Sequence, residues 1–461
     1  MHKQLVLPSA PRSTRVSWIL GAFLGLTSLT ACRSQPQADP HATARGHEPS
    51  SKPELPGAQP QKNTRVQGTL RDIGGQRVLH VWGSSYEMGY AHGYLLRETI
   101  IDVIDNYALS DIPQAMFAAA ATSLATMGTI DPSLREEARA VIEGMKAAGG
   151  AESRGLGRPL NADDLLVFNA VTDLVAIGCS SVSAWGSATT ADPTLKGELA
   201  LVRNLDWVAD PALLKSQVII AYEPSDPQKQ DVISVAFAGY LGCLSCMNKA
   251  GVSVFFNMGY GKGAATLGQA AAGFAPANLL LREALSARDV NGDGRTNADD
   301  VLHKIKASQH AGSYIVHLVE PAREAAASGH PPARVLEIEA TGVDVRSTST
   351  GSKLGAEILA ATNHLRAQAA PQTGPRYRRI EASVGARHQM LSLKSLWTIG
   401  EAVRIDDAVV HTMIFIPAKL DFSVRMRAPG MSMSNSPPPV SHHWATLFQD
   451  RATNVQSPTN D

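Results

Sequence analysis

The sequence changes its pattern at Gly178-Cys179, and this change is the strongest constraint on the fold. Before it, from about residue 87, most of the chain is typical of helices; after it come short β-rich runs. Several runs, such as Val232–Phe237 and Val409–Ile416, are apolar at nearly every position. Strands of that kind are buried on both faces, so they predict packed sheets with helices outside them. The expected fold class is therefore α+β, a four-layer α/β/β/α sandwich.

The composition is that of a globular protein without a global charge. The chain has 461 residues, of which 44% are hydrophobic and 18% are charged. Lysine plus arginine and aspartate plus glutamate each number 42. Because this balance gives no net field that would attract a polyanion, no nucleic-acid partner is expected. The length permits one large domain or two smaller ones.

The N-terminus has the features of an export signal. A basic start precedes an apolar run at 16–29 that is too short to span a bilayer permanently. The run ends in Leu-Thr-Ala-Cys32, which resembles a bacterial lipobox. Residues 1–31 are therefore interpreted as a lipoprotein signal peptide and Cys32 as the lipidated residue. The alternative is an ordinary secretory signal with an incidental cysteine.

The region after the signal predicts the location and the domain order. Arg33 follows Cys32, so the aspartate that signals retention in the inner membrane is absent. We expect an exported lipoprotein at the outer membrane or cell surface, with the bacterial membrane as a partner through the lipid on Cys32. Residues 32–65 are polar and proline-rich, and they predict a disordered tether. A mostly helical segment 66–178 and a catalytic β-rich segment 179–461 follow.

The cysteine count separates one candidate nucleophile from the rest. Four cysteines, Cys32, Cys179, Cys243 and Cys246, are too few for a disulfide scaffold in an exported protein. Cys243 and Cys246 form a Cys-x-x-Cys motif in a stretch that predicts a strand and a turn. A redox role needs a helix N-terminus, so plain packing or a local disulfide is favoured. Cys179 has no obvious partner.

Cys179 stands where self-cleavage could create a nucleophile. Scission of the Gly178–Cys179 bond would turn an internal thiol into part of a new N-terminal residue. A free thiol titrates near pH ~8.5 and a free α-amine near ~7.7–8.0, so the amine is a well-matched base for the thiol. Thiol attack on the Gly178 carbonyl, an N-to-S acyl shift and hydrolysis would give two fragments. Glycine at 178 is expected to permit a strained backbone approach.

Short motifs between about residues 66 and 425 occur in a shared order. They are Tyr86-Glu-Met-Gly-Tyr-Ala-His-Gly93, Gly178-Cys-Ser-Ser, Ala184-Trp-Gly, Arg203-Asn-Leu-Asp-Trp207, Met247-Asn-Lys-Ala-Gly-Val-Ser-Val254, Asn257, Ala361-Thr-Asn-His364 and Arg376-Tyr-Arg. In this order the chain resembles N-terminal-nucleophile (Ntn) hydrolases of the acyl-coenzyme A:isopenicillin N acyltransferase family. Bile salt hydrolases, penicillin V acylases and acid-ceramidase-like amidases are more distant relatives. The resemblance implies an Ntn-hydrolase sandwich, self-cleavage at the 178–179 bond and two fragments that remain associated.

The resemblance also assigns roles around the nucleophile. Asp206 corresponds to the acceptor for the new α-amine, and Arg203 to the cation that tunes the thiol. Asn257 and Asn363 correspond to positions that contact the oxyanion and the amine. Arg376 corresponds to a supporting arginine. Considered one at a time, these residues could also have purely structural roles: Arg203 and Asp206 could form an ion pair, and the two asparagines could cap loops.

The predicted reaction is attack by Cys179 on the carbonyl of a small-molecule amide to give a thioester. Water or a second amine would release the acyl group, so hydrolysis and transfer both remain open. No organic cofactor is expected. One alternative is a lipid-directed amidase of the ceramidase or acylethanolamine type. Another is a non-catalytic calcium-binding surface lipoprotein with the same fold.

A second motif lies in the loop at 289–300. Oxygen-bearing side chains stand at loop positions one, three, five and twelve, and a glycine stands at position six, as calcium loops require. The loop resembles an EF-hand, nearest to dockerin loops, and it predicts a structural calcium ion; the alternative is a solvated acidic turn. The candidate ligands are Asp289, Asn291, Asp293, Asp300 and, at position seven, Arg295.

Local signals predict several smaller features. Pro132 and Asn161 mark the starts of two helices, the latter as an N-cap. Asn248 reads as a turn residue between strands and is kept out of the site. The tail from Pro437 to Asp461 is proline-rich and then polar, and it is predicted to be loose.

Overall fold

The structure is a computed structural model that describes residues 65–126, 129–170, 178–261, 273–347, 353–367 and 373–450. The chain divides into two units, Met1–Val66 and Gln67–Asp461, and both large sheets belong to the second unit. The predicted signal peptide, Cys32 and nearly all of the predicted tether lie outside the described residues. No helix within the described ranges is long and apolar enough to cross a membrane.

Strands of the second unit form two large sheets and one small hairpin. They are β1 (Gly68–Ile73), β2 (Gln76–Gly83), β3 (Glu152–Ser153), β4 (Arg158–Pro159), β5 (Gly178–Ala184), β6 (Ala200–Asp206), β7 (Gln217–Pro224), β8 (Val232–Phe237), β9 (Ser245–Asn248), β10 (Ser253–Met258), β11 (Tyr314–Val319), β12 (Ala333–Glu339), β13 (Gly342–Arg346), β14 (Ile358–Ala361), β15 (Val409–Ile416), β16 (Asp421–Met426) and β17 (Val440–His443).

The strand order places the candidate nucleophile on the strand next to one edge of the smaller sheet. A nine-stranded sheet has the order β1-β2-β7-β8-β9-β10-β11-β12-β13, and a six-stranded sheet has the order β14-β5-β6-β15-β16-β17. Neighbouring strands pair antiparallel, with the exception of the parallel pair β2–β7. Strand β5 begins at Gly178, so Cys179, its second residue, lies at the N-terminal end of the strand.

Helices cover the outer faces of both sheets. They are α1 (Ser85–Val103), α2 (Leu109–Asp111), α3 (Gln114–Thr126), α4 (Pro132–Ala147), α5 (Ala162–Ala170), α6 (Pro211–Lys215), α7 (Ala277–Ser286), α8 (Ala298–Lys306), α9 (Ala322–Ser328), α10 (Pro375–Gly385), α11 (Leu393–Val403) and α12 (Trp444–Leu447), with one π-helical turn at Ile104–Ala108. The predicted helix starts are confirmed, since Pro132 is the first residue of α4 and Asn161 accepts the N–H groups of Asp163 and Asp164.

Two apolar clusters define the layers. Ile219 and Phe255 of the nine-stranded sheet pack with Met413 and Phe415 of the six-stranded sheet in a core between the two sheets. The opposite face of the six-stranded sheet packs against α10 and α11 through a second cluster that includes Val202. Helices α1 and α7 contact the nine-stranded sheet. The fold is therefore an α+β sandwich with two central sheets, as the apolar strands predicted.

The segment before residue 178 is part of the larger sheet. Residues Gln76–Gly83 form β2, and β1 lies beside it at the sheet edge. Residues Val78 to Gly83 of β2 pair in parallel with Ile219 to Pro224 of β7. The sandwich is thus built from both sides of the predicted cleavage point.

The prediction of a loose tail from Pro437 is wrong as far as Asp450. Strand β17 pairs with β16, and Trp444 and Leu447 are buried in the core between the sheets. The Asp450 carboxylate lies 2.9 Å from the Nε atom of Arg71. Two well-placed apolar side chains thus order this segment, although the prolines before them suggested otherwise.

Candidate active site

Antiparallel pairing of β5 and β6 brings the candidate nucleophile to a buried arginine. Cys179 pairs with Leu205, and Ser181 pairs with Arg203. Directly paired residues share a face of the sheet, so the side chains of Cys179 and Arg203 lie on the same face. Both residues are fully buried, and the Nη2 atom of Arg203 lies 3.7 Å from the Cys179 sulfur.

The second sheet holds the Arg203 guanidinium in place. Its Nη1 donates to Asn257 Oδ1 at 2.7 Å, and its Nη2 donates to the Phe256 carbonyl oxygen at 2.7 Å. Asn257 in turn donates from Nδ2 to the Thr362 carbonyl oxygen at 3.1 Å. In the described part of the chain, no carboxylate lies within 4 Å of Arg203. The simple reading of Arg203 and Asp206 as an ion pair is therefore wrong.

Asn363 holds the backbone nitrogen that cleavage would release. The peptide N–H of Cys179 donates to Asn363 Oδ1 at 3.1 Å. The same oxygen accepts from Arg376 Nη1 at 3.3 Å, and Asn363 Nδ2 donates to the Met258 carbonyl oxygen at 2.8 Å. Asn363 is therefore oriented from both ends of its amide. In the uncleaved chain it contacts the position of the future α-amine.

Asp206 lies on the opposite face of β6 and pairs with Arg376. Its Oδ2 accepts from Arg376 Nη2 at 2.5 Å, and its Oδ1 accepts from the Ile405 N–H at 3.1 Å. Burial raises the pKa of Asp206 to about 6, and the Arg376 charge opposes this rise. In the intact chain Asp206 therefore anchors Arg376, whereas its predicted contact with a free α-amine remains a prediction.

The electrostatics of Cys179 depend mainly on burial and on Arg203. Burial raises the pKa of the thiol, the Arg203 cation lowers it, and the Asp206 carboxylate raises it. Burial also lowers the pKa of Arg203 from its ordinary value. Because desolvation disfavours the thiolate, the intact chain holds Cys179 as a thiol, and Arg203 is the nearest charge that favours its deprotonation.

Gly178 is required for space rather than for strained geometry. It belongs to β5, pairs with Asp206, and its backbone does not have the positive φ that favours glycine. A Cβ atom at this position would lie 2.7 Å from Ile405 Cδ1 and 3.4 Å from Arg376 Nη1. The expectation of a strained backbone at 178 is therefore wrong, since the glycine allows Ile405 and Arg376 to pack beside the predicted scissile bond.

Sequence reasoning missed the residues at the rim of the site. Tyr260 donates its backbone N–H to the Asn363 carbonyl oxygen at 2.7 Å, and its ring lies 5.4 Å from the His364 ring in an edge contact. Tyr260 is 48% exposed and Ile405 is 39% exposed, although both are large apolar groups. Burial raises the pKa of Tyr260, and the charges of Arg376 and Cys179 also act on it. Neither residue lies near Cys179 in the sequence, so no local pattern indicated their place beside the site.

Two buried histidines near Arg203 are neutral. Burial, together with the nearby Arg203 charge, lowers the pKa values of His317 and His411 to about 3. Neither imidazole forms a hydrogen bond with the Cys179 sulfur in the described ranges. A histidine base is therefore not positioned on the thiol, and the predicted use of the α-amine is left standing as a prediction.

The remaining cysteines and Asn248 have structural roles. Cys243 and Cys246 form a disulfide, one of the two outcomes favoured from the sequence. Asn248 Oδ1 accepts the N–H groups of Ala250 and Val252, so its prediction as a turn residue is confirmed. Cys179 is the free cysteine of the described residues.

The loop at 289–300 has some features of a calcium loop. Asp289 Oδ1 accepts the N–H of Gly294 at 2.9 Å, and Asp300 accepts the N–H groups of Asn291 and Asn297. Gly294 has a φ of 79°, which suits the sharp turn at position six. Over the residues that the structure describes, no group of three His, Cys, Asp or Glu side chains is placed to hold a metal ion. The calcium site remains a prediction.

A separate groove lies away from Cys179. It has a volume of about 430 Å³ and is lined by Leu393, Trp397 and Ile414, among other residues. None of the six predicted catalytic residues lines it. We therefore do not assign it to the site.

Comparisons with known proteins give partial similarities. No protein-family model matches the chain. The chain is 27% identical over 197 residues to "Protein dcd1B" of Dictyostelium discoideum and 24% identical over 215 residues to an uncharacterized protein of Archaeoglobus fulgidus. These matches cover 40% and 41% of this chain, and they span only 38% and 34% of the relatives' lengths.

Two similar solved structures are, by their titles, an acid amidase and a bile acid hydrolase. A Caenorhabditis elegans N-acylethanolamine-hydrolyzing acid amidase ortholog is 14% identical, with a TM-score of 0.38, over 52% of this chain and 93% of its own. A mutant conjugated bile acid hydrolase of Clostridium perfringens is 10% identical, with a TM-score of 0.33, over 59% of this chain and 94% of its own.

Proposed function

We propose that this chain is a self-processing cysteine amidase of the Ntn type, with Cys179 as its nucleophile. The observation that supports this most is the environment of Arg203. This cation is fully buried and lies 3.7 Å from the Cys179 sulfur, and no carboxylate of the described chain lies within 4 Å of it. A buried charge normally requires a partner of opposite sign, and the thiolate that the new α-amine would generate after cleavage is the anion that this position can supply.

Self-cleavage is proposed as the first reaction. The Cys179 sulfur attacks the Gly178 carbonyl carbon, the C–N bond breaks, and the released nitrogen takes up the thiol proton. Water then hydrolyses the resulting thioester, which leaves a carboxylate on Gly178 and restores the thiol of Cys179. Asn363 is placed to hold the nitrogen through this change, because its Oδ1 already accepts the Cys179 N–H.

Amide turnover is proposed to reuse the same groups. The new α-amine accepts the thiol proton, and the sulfur attacks the substrate carbonyl. The proton then passes to the leaving amine, and water hydrolyses the acyl thioester. Arg203 favours the thiolate by its charge, and Asp206 fixes Arg376 beside Asn363. Asn257 is the proposed oxyanion contact, which requires that its Nδ2 leave the Thr362 carbonyl oxygen.

The two fragments are proposed to remain associated. Six residue pairs join β2 to β7, so the fragment ending at 178 supplies part of a sheet that the other fragment continues. The closely packed helices α1 and α4 also belong to the first fragment. Separation would expose the apolar faces of these elements, which opposes dissociation.

The rim favours an amide with an apolar part. Tyr260 and Ile405 flank Asn363 and Asp206, and both expose large apolar surfaces. This supports the lipid-directed amidase as the more specific candidate, and a lipid anchor on Cys32 would place the enzyme beside such a substrate. Whether the reaction is hydrolysis or acyl transfer depends on whether water or a second amine reaches the thioester.

N-terminal sequencing and a denaturing gel test this proposal. The wild-type protein should give two bands, with the larger fragment starting at Cys179. Cys179→Ala should give one band, while the neighbouring Ser180→Ala, another buried β5 position, should give two. A panel of N-acylated amines then separates substrate classes by acyl length. A wild-type protein that stays intact and leaves every amide unchanged would favour the non-catalytic lipoprotein.

A further inference from the structure

A buried chain of polar side chains connects β5, the strand that carries Cys179, to the nine-stranded sheet. The His317 ring on β11 lies between two serines of β5, with Nδ1 at 2.8 Å from Ser181 Oγ and Nε2 at 2.9 Å from Ser183 Oγ. All three residues are at most 1% exposed. Ser181 and Ser183 share the face of β5 that carries Cys179, because alternate residues of a strand point the same way.

The partners of these polar groups show which group donates and which accepts in each hydrogen bond. Burial lowers the pKa of His317 to about 3, with the Arg346 and Arg203 cations acting in the same sense, so the ring is neutral. A neutral imidazole has one donor and one acceptor. Ser183 Oγ also lies 3.4 Å from the Leu359 carbonyl oxygen. The consistent assignment is Ser181 O–H to Nδ1, Nε2–H to Ser183 Oγ, and Ser183 O–H to Leu359.

These hydrogen bonds affect the distance between the Cys179 sulfur and the Arg203 guanidinium. Cys179 belongs to the six-stranded sheet, whereas Phe256 and Asn257, which hold the Arg203 guanidinium, belong to the nine-stranded sheet. The Arg203–sulfur distance of 3.7 Å therefore depends on how the two sheets are placed at this end of the sandwich. His317 is on the strand next to β10 and bonds two residues of the cysteine strand.

We propose that His317, through Ser181 and Ser183, is a positioning residue that sets the contact between Arg203 and the Cys179 sulfur. It does not touch the sulfur itself, and it acts by fixing β5 against β10 and β11. Apolar packing between sheets resists separation but permits small sliding, whereas a directional hydrogen-bond chain resists sliding as well. The inference concerns the same site as the proposed function but can be tested without turnover.

The test removes the polar chain without leaving unpaired groups. His317→Phe alone would bury two serine hydroxyls without their ring partner, and that cost could unfold the protein. The triple variant Ser181→Ala, His317→Phe, Ser183→Ala replaces every side-chain member by an apolar group, so folding can be kept. The readout is the pH at which the ultraviolet absorbance of the Cys179 thiolate is half-maximal, taken as a difference against the same full-length protein carrying Cys179→Ala, because this thiol is fully buried and a titration of its absorbance needs no reagent to reach it.

The chain offers a matched control. His442 on β17 is also buried, and its Nε2 lies 2.8 Å from Gln76 Oε1 on β2, so it too joins the two sheets. It bonds no residue of β5 in the described ranges. His442→Phe should therefore alter stability without altering the thiol.

We expect the triple variant to raise the midpoint of this thiolate titration by about one pH unit, since a close opposite charge commonly shifts a pKa by one to three units. In the processed enzyme kcat should fall about tenfold while KM changes little. An unchanged midpoint in a folded triple variant, or an equal shift in His442→Phe, would overturn the inference. Absence of self-cleavage in the wild type would refute the proposed function alone, because the midpoint is measurable in an intact chain.

Discussion

The side-chain oxygen of Asn363 accepts the backbone N–H of Cys179 at 3.1 Å, although 184 residues separate the two positions. This contact places an acceptor on the nitrogen that would become the α-amine. Arg376 Nη1, at 3.3 Å from the same oxygen, keeps the amide in that orientation. If the proposed self-cleavage takes place, the α-amine would thus be held in position from the moment of its release.

The first prediction follows from this contact. Asn363→Ala should lower kcat by about 10- to 100-fold, because the α-amine would lose an acceptor that orients it, a loss on the order of 1–3 kcal/mol. Steady-state kinetics on the processed enzyme measures it. Asn204→Ala is the control, since Asn204 is equally buried but bonds Ser180 and the Gly400 carbonyl oxygen on the other face. Equal losses in both variants would contradict a role for Asn363 in the reaction.

The second prediction concerns Arg203. Arg203→Met should raise the pKa of the Cys179 thiol and lower kcat about 100-fold, because the closest opposite charge is removed. Arg203→Lys keeps the positive charge but lacks the planar guanidinium, so its activity should lie between those of the wild type and of Arg203→Met. Arg282→Met is the control, because Arg282 is also a buried arginine but lies 4.0 Å from Glu137 and is distant from Cys179 in the sequence. This variant should be less stable than the wild type, while the pKa of its Cys179 thiol should be unchanged.

The third prediction tests why residue 178 is glycine. Gly178→Ala places a Cβ 2.7 Å from Ile405 Cδ1, the end of a side chain that is 39% exposed and can turn aside, so we expect a destabilisation of only about 1 kcal/mol and slowed self-cleavage. Ile405→Ala removes the atom that collides. The double variant should therefore recover most of the cleavage rate, as measured by band conversion on a denaturing gel. A double variant no better than Gly178→Ala would show that space is not the requirement.

The fourth prediction follows from the Asp206 pKa, which burial raises from 3.8 to about 6. Between these values the folded state binds more protons than the unfolded state, so this group's contribution to stability falls as the pH rises. The unfolding free energy of the wild type minus that of Asp206→Asn should therefore drop by up to about 3 kcal/mol between pH 4 and pH 7. Urea unfolding measures it, and a rise over that range would contradict the pKa direction.

The fifth prediction concerns the loop at 289–300. If it binds calcium, millimolar calcium should raise the melting temperature, because a ligand that binds the folded state stabilises it by mass action. Asp293→Ala should abolish that rise. Asp293 is the preferred target because Asp300 also belongs to the capping box of α8, whose loss would destabilise the helix by itself. Equal melting temperatures with calcium and with a chelator would remove the site.

The strands were the most predictable part of the fold. The predicted runs at Val232–Phe237 and Val409–Ile416 match β8 and β15 residue for residue. Their apolar character is local and continuous, so it can be read without knowing the neighbours. The tail was not predictable in this way, because only Trp444 and Leu447 signal its burial and the core that receives them is distant in sequence.

The resemblance to Ntn hydrolases indicated the six candidate catalytic residues, and the structure brings them into one connected set, in which Cys179 contacts Arg203 through its sulfur and Asn363 through its backbone N–H. Their partners were not predictable. Asp206 was expected beside the α-amine, yet in the intact chain it pairs with Arg376, 170 residues away. The His317 tie was also missed, since a histidine in an apolar strand reads as ordinary core.

Periodicity and local residue type were sufficient to predict most strands and helices, their order and Cys179 as the candidate nucleophile. The groups that surround this thiol became apparent only once the strands were paired and the sheets packed. Strand order and register carry Arg203 to Cys179 and leave the cation without a carboxylate. Such pairings depend on contacts between distant segments, and a one-residue change of register would turn these side chains to the other face.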